Sequence, residues 1–150
     1  MLRIGIDPAF RKDGFTVCIL DHEKTVSFKV FKQSRNFFAW INDIPSPSKI
    51  AIENSNLDSF MYNKKGSREP MGVYEKRCMS VGKNQAMSQL AVDICQDLGH
   101  VVFSIKPSQK GKKPELKWVM RISSAYKFKL LSIPNKEDER DAFKMLLYTL

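Results

Sequence analysis

The sequence predicts an α/β domain built on one mixed sheet with helices on both faces. Three observations carry this. The first 32 residues hold three β-rich segments joined by short polar turns, the pattern of an antiparallel meander. Beyond them helical and strand-like periods alternate, which calls for crossover connections. The length of 150 residues, 43% hydrophobic and 11% aromatic, suits one domain with a packed core.

Each element has its own signal. Residues 3–6 form a strand that stops at Asp7-Pro8. Residues 15–21 are continuously apolar, as in a central strand covered on both faces. Residues 25–32 alternate as an edge strand does. A short helix over 35–44 buries Phe38, Ile41 and Phe37, and Pro45-Ser46-Pro47-Ser48 ends it. Lys49 to Glu53 is a short buried strand. Residues 54–82 show no sustained period and read as one long loop. A helix over 83–98 carries Met87, Leu90, Ala91, Ile94, Cys95 and Leu98 on one wide stripe, closed by Gly99. Residues 100–105 are a fifth strand and 108–113 a basic turn. A helix follows over 114–126, and a last one over 135–149, with Asn135 as its N-cap.

Other classes are excluded by what is missing. No apolar run approaches the eighteen or so residues of a membrane span. The opening reads as a strand rather than a secretion signal. Cys18, Cys78 and Cys95 are an odd, scattered set with no C-x-x-C pair, which speaks against a disulfide framework or zinc site and for a reducing compartment. The expected location is the cytoplasm.

The charge balance points to a polyanion. Twenty-five basic residues against sixteen acidic ones give +9. Residues 61–87 hold six basic and two acidic residues, and 106–121 hold six and one, so these two stretches carry the whole excess. Candidate nucleic-acid contacts are Lys64, Lys65, Arg68, Lys76 and Arg77 in the first stretch, and Lys110, Lys112 and Lys113 in the second.

The acids stand out by position. Asp7 ends the first strand and Glu53 the fourth. In a five-stranded sheet ordered 3-2-1-4-5 these strands are parallel neighbours about 4.8 Å apart, so the two carboxylates sit side by side. Asp138 and Asp141 are three apart near the start of the last helix and share a face that can cover the same strand ends. Glu137 and Glu139, in the same turn, read as partners of the helix dipole. Converging carboxylates repel unless cations lie between them. Ligands that are all oxygen favour Mg²⁺ or Mn²⁺, and two such ions would activate water and stabilise the leaving oxygen in phosphodiester cleavage.

Ile4-Gly5-Ile6-Asp7-Pro8 with Gly14, then Ile50-Ala51-Ile52-Glu53, then Lys136-x-Asp138-x-x-Asp141-Ala142, resembles the RuvC-type Holliday junction resolvases of the ribonuclease H-like superfamily. The resemblance runs in order over nearly the whole chain. It implies a ribonuclease H-like fold and a metal-dependent, homodimeric endonuclease that makes paired nicks in four-way DNA. Asp7, Glu53, Asp138 and Asp141 would hold two Mg²⁺ (or Mn²⁺) ions. Lys106 and Lys117 would contact phosphates near the cut, Lys117 with a catalytic role, and the helix over 83–98 would contribute to the dimer. Ala9 stands where the family has glycine, and Asn56 where it often has an aromatic residue that opens the junction. Phe60 and Tyr62, further along the loop, are expected to stack on bases instead. A compact, basic chain of this kind suits a phage or mobile element.

Other readings remain. A nuclease of the same superfamily acting on other branched DNA, or on structured RNA such as pre-ribosomal RNA, would share the acids. A non-catalytic DNA-binding protein would not need all four. Actin-like and sugar-kinase ATPases also open with a strand, Asp and Gly. They require a second phosphate loop and a second domain, for which 150 residues lack room.

Overall fold

The computed structural model describes residues 1–9, 14–57 and 65–150. Among the described residues six strands and five helices follow in the order β1 (Arg3–Ala9), β2 (Gly14–Leu20), β3 (Thr25–Phe31), α1 (Ser34–Asn42), β4 (Lys49–Glu53), α2 (Met71–Asp97), β5 (Val101–Ile105), α3 (Pro107–Lys110), α4 (Leu116–Tyr126), β6 (Lys129–Leu130) and α5 (Glu137–Leu147). The sheet order is β5-β4-β1-β2-β3-β6. The meander β1-β2-β3 is antiparallel, while β4 joins β1, and β5 joins β4, in parallel.

The expected order of five strands is present, with a sixth beside β3. Strand β6 is two residues long and pairs only Thr25 with Lys129 and Val26 with Leu130. So short a segment has no period to read. It covers part of the edge that β3 was expected to leave open. Strand β1 also runs past Asp7-Pro8 to Ala9. Its pairing with β4 ends at Ile6–Ile52, and beyond that it pairs with β2 alone. Pro8, which has no amide hydrogen to donate, is tolerated there.

Alternation along the strands sorts the two faces. Ile4, Ile6, Phe15, Val17, Ile50 and Ile52 pack with Phe37 and Ile41 of α1 and Ala91, Val92 and Cys95 of α2. Phe15 stacks on Phe37 with ring centroids 3.9 Å apart. On the other face Cys18 and Leu20 meet Ala142, Phe143 and Leu146 of α5, and Ala51 meets Met145. Cys18 and Cys95 are buried and Cys78 is half-buried, each a free thiol.

Helix α2 corrects the expected loop over 54–82, because its first half begins at Met71. The buried residues of α2, Ser88, Ala91, Val92 and Cys95, all lie in its second half. Met71, Val73 and Met79 are exposed, so the first turns show no buried stripe and no helical period. The apolar stripe expected over 83–98 faces mostly inward. Met87, Ala91, Ile94, Cys95 and Leu98 pack on the core, and of that set Leu90 alone is well exposed. Periodicity shows that a face is apolar but not what covers it. Helix α5 starts two residues later than expected, with Lys136 rather than Asn135 at the N-cap, and the Glu139 carboxylate accepts from the Lys136 amide at 3.1 Å.

Gly5 belongs to the α5 face. A Cβ there would stand 2.2 Å from the Ala142 carbonyl oxygen and 2.2 Å from the Leu146 amide nitrogen. Backbone meets backbone, so no rotamer change relieves the clash. Gly5→Ala is expected to cost about 3 kcal/mol or more by forcing α5 off the sheet. Urea unfolding measures this, and a variant with parent-like stability would mean that α5 does not lie so close to β1.

Candidate active site

Strand parity puts Asp7, Thr16 and Glu53 on the face that α5 covers. Asp7 pairs with Thr16 across β1 and β2, and Glu53 is the next residue after the Ile6–Ile52 pair. At this point β1 and β4 part company, and Glu53 continues opposite Ile105 of β5. Helix α5 brings buried Asp141 over the opening.

The three carboxylates converge on one ammonium. Lys110 Nζ lies 3.0 Å from Asp141 Oδ2 and 3.7 Å from Asp7 Oδ1, and it donates a short hydrogen bond to Glu53 Oε2. Lys110 is only 9% exposed, which is rare for lysine and tolerable here because three acids surround it. It reaches them because the chain turns back directly after β5 through the four residues of α3. The sequence placed Lys110 among the DNA contacts. It is instead the residue nearest the acids, whereas Lys106 is exposed at the start of α3 and Lys117 is exposed on α4.

Electrostatics follow from this packing. Burial raises the Asp7 carboxyl to about 8, Lys110 opposes the rise, and the charges of Glu53, Asp141 and Asp138 add to it. Burial disfavours the Lys110 ammonium, but Asp7, Glu53 and Asp141 more than restore it and hold it above the usual lysine range. Asp138 acts on Asp7 with the smallest effect of the three acids. Asp141 Oδ1 and Thr16 Oγ1 are buried and find no hydrogen-bond partner among the described residues. Thr16 carried no sequence signal, since it sits inside an apolar run.

The segment after Glu53 is tied down by amides. Asn54 Nδ2 donates to Ser104 Oγ at 3.0 Å and to Gln89 Oε1 at 3.2 Å. Asn56 Nδ2 donates to the Gln85 carbonyl of α2 at 2.6 Å. Asn56 therefore clamps the chain to α2 where the family resemblance would have had a base-stacking aromatic. Glu53 opens onto a cleft of about 470 Å³ lined by Arg77, Ser80, Val81 and Asn84 of α2 and by Lys113.

The remaining candidates are scattered. Arg77 makes a two-pronged pair with Glu69, at 3.1 and 2.9 Å, that braces the turn before α2. Lys113 pairs with Glu137 at 2.7 Å. Lys65, Arg68, Lys76 and Lys112 are exposed. Phe60, Tyr62 and Lys64 lie outside the described residues.

The donor set suits a hard divalent cation. It is all carboxylate oxygen, and one oxygen of Asp141 is buried and unpartnered. As the side chains stand, no three acid, histidine or cysteine groups among the described residues are arranged to cage an ion. The ammonium of Lys110 supplies the positive charge between them. Among the described residues no helix is long and apolar enough to cross a membrane.

No protein-family model matches the chain, and no curated protein matches it significantly. Solved structures do match. T. thermophilus RuvC in complex with Holliday junction substrate aligns over 98% of this chain and 90% of that chain, with a TM-score of 0.53 and 15% identity. The fold is shared with RuvC. At this identity the likeness is one of fold, and it agrees with the ribonuclease H-like architecture expected from the motifs.

The raised Asp7 carboxyl has a signed consequence for the metal-free protein. A group whose pKa is raised on folding contributes stability below its unfolded value and loses it as pH climbs through the folded one. Asp7→Asn is expected to match the parent near pH 4, gain steadily to about pH 8 and then level off. Lys110→Met is expected to melt below the parent at pH 8, because it leaves the acids uncompensated. Thermal unfolding in chelator over this range is the check, and curves parallel to the parent at every pH would contradict the coupling.

Proposed function

We propose that this protein is a divalent-metal-dependent endonuclease that nicks branched DNA, with the four-way junction as its substrate form. The observation that carries the reading is the convergence of Asp7, Glu53 and Asp141 on Lys110, where the parallel pairing of β1 with β4 ends. Carboxylates so crowded gain nothing for the fold by their mutual repulsion, which favours a role in chemistry. Asp7, Glu53, Asp141 and Asp138 would hold Mg²⁺ or Mn²⁺, two ions per site. Bound there, such ions would supply a water nucleophile and charge neutralisation at the leaving oxygen.

The chain's own residues do the rest. Lys110 balances the acids and keeps Glu53 and Asp141 facing one point. Asn54 and Asn56 hold the end of β4 against α2, which fixes the cleft wall. Lys113, at the cleft rim, offers positive charge to a phosphate, and Lys112 and Lys117 extend that charge. Branched DNA is the favoured substrate because the chain shares its fold with RuvC, a protein solved with Holliday junction substrate, and because its basic excess flanks the acids. Opposed nicks need two sites and hence a homodimer. The outward side of α2, where Leu90 is exposed, remains free for that contact after the inward stripe is spent on the core.

The test is a nicking assay on four-way DNA beside linear duplex and structured RNA. Cleavage is expected to require Mg²⁺ or Mn²⁺ and to prefer the junction. Glu53→Gln and Asp141→Asn are expected to reduce it by about a hundredfold or more while junction binding persists. Activity undiminished in excess chelator would overturn the metal assignment, and preference for RNA would overturn the substrate.

A further inference from the structure

A second cavity, of about 560 Å³, adjoins the carboxylate cleft and shares Lys113 with it. Lys112, Lys113, Lys117, Arg121 and Lys144 line its wall beside one carboxylate, Glu115, and since Lys113 is already paired with Glu137 at 2.7 Å, four further cations face that acid. Like charges at this density repel, and an anion between them relieves the repulsion. The wall is held in place by backbone acceptors. Lys144 Nζ donates to the Lys112 carbonyl at 2.7 Å, and Arg140 Nε donates to the Pro114 carbonyl at 3.0 Å.

One aromatic side chain stands among the cations. Trp118 is half-buried, and its ring meets fully buried Phe143 edge to face at 6.3 Å. A braced indole beside lysines and an arginine matches two chemistries in a single ligand, a flat π-surface and a phosphate. A phosphate alone leaves the indole unused, and an acidic peptide offers no flat ring to it. The volume falls in the range of ligand pockets, roughly 300–1,000 Å³.

We infer that this cavity takes one nucleotide of an unpaired DNA strand, with its base against Trp118 and its phosphates among Lys112, Lys117, Arg121 and Lys144. The choice of a strand over a free nucleotide rests on the nuclease reading, through Lys113. That residue lies on both cavities, so an occupant here neighbours whatever fills the carboxylate cleft. The site gives a nicking enzyme a way to recognise strands that have left the duplex, since a paired base cannot reach an indole.

Fluorescence tests this without any cleavage. The chain has two tryptophans, and Trp40 packs against Phe31 and Phe37 in the core. The full chain in excess chelator is titrated with a single-stranded oligodeoxythymidylate and, separately, with thymidine monophosphate and inorganic phosphate. The oligonucleotide is expected to quench emission, and Trp118→Leu to abolish the quench and weaken binding about tenfold. Arg121→Gln is expected to keep the quench, weaken binding and flatten its salt dependence. Because Trp118 also packs on Phe143, Arg121→Gln at an exposed side chain carries the test if the leucine variant does not fold. Three results would overturn the inference: a quench unchanged in Trp118→Leu, equal affinity for the monophosphate and the strand, or full competition by inorganic phosphate. A protein that shows the quench but never cleaves would sink the nuclease reading alone, and one that cleaves without the quench would sink this inference alone.

Discussion

With no side chain at Gly5, helix α5 approaches β1 until its own backbone occupies the space of a Cβ. That contact sets the height of α5 above the sheet, and the site depends on it. Asp141 projects from the same helix one residue before Ala142, whose carbonyl oxygen touches the Gly5 position. Asp7 leaves β1 two residues after Gly5, on the same face. A helix raised by one methyl group would carry Asp141 away from Asp7 and Glu53. The glycine in Ile4-Gly5-Ile6-Asp7 is thus a spacing element for the carboxylate that follows it.

Bringing acids so close creates a charge problem, and the structure answers it with Lys110. Desolvation alone would neutralise Asp7 and discharge a buried lysine. Packed together they act in opposition: the lysine keeps its proton because three acids face it, and Asp7 holds one because burial outweighs the single cation. The cluster is soluble in its own counter-charge but carries little slack. A buried Asp141 oxygen without a partner is what such an arrangement leaves over.

Around this centre the structure is asymmetric. On one side Asn54 and Asn56 pin the exit of β4 to α2 and shape a cleft of about 470 Å³. On the other, residues 112–121 and Lys144 build a wider, strongly basic cavity around Trp118. Glu53 lines the first cavity, and Lys113 lines both.

Five of the six strands, their faces and the placing of Asp7 and Glu53 on one face were legible in the sequence because each depends on local pattern. Alternation in Ile4-Gly5-Ile6 and Ile50-Ala51-Ile52 fixes parity, and parity alone puts Asp7 and Glu53 on one face. Other features have no local signature. The buried residues of α2 all lie in its second half, so its first half shows no apolar period. Strand β6 is too short to alternate. Lys110 differs from its basic neighbours only in where a four-residue turn after β5 aims it, and Asn56 only in what α2 presents to it. Trp118, Arg121 and Lys144 become neighbours through the packing of α4 and α5. The sequence by itself determined which residues face the core and which sheet face Asp7 and Glu53 share, since burial against a plane is written in periodicity. Only the tertiary structure decided which cation meets them and what the apolar stripe of α2 covers, since those contacts join segments far apart in the chain.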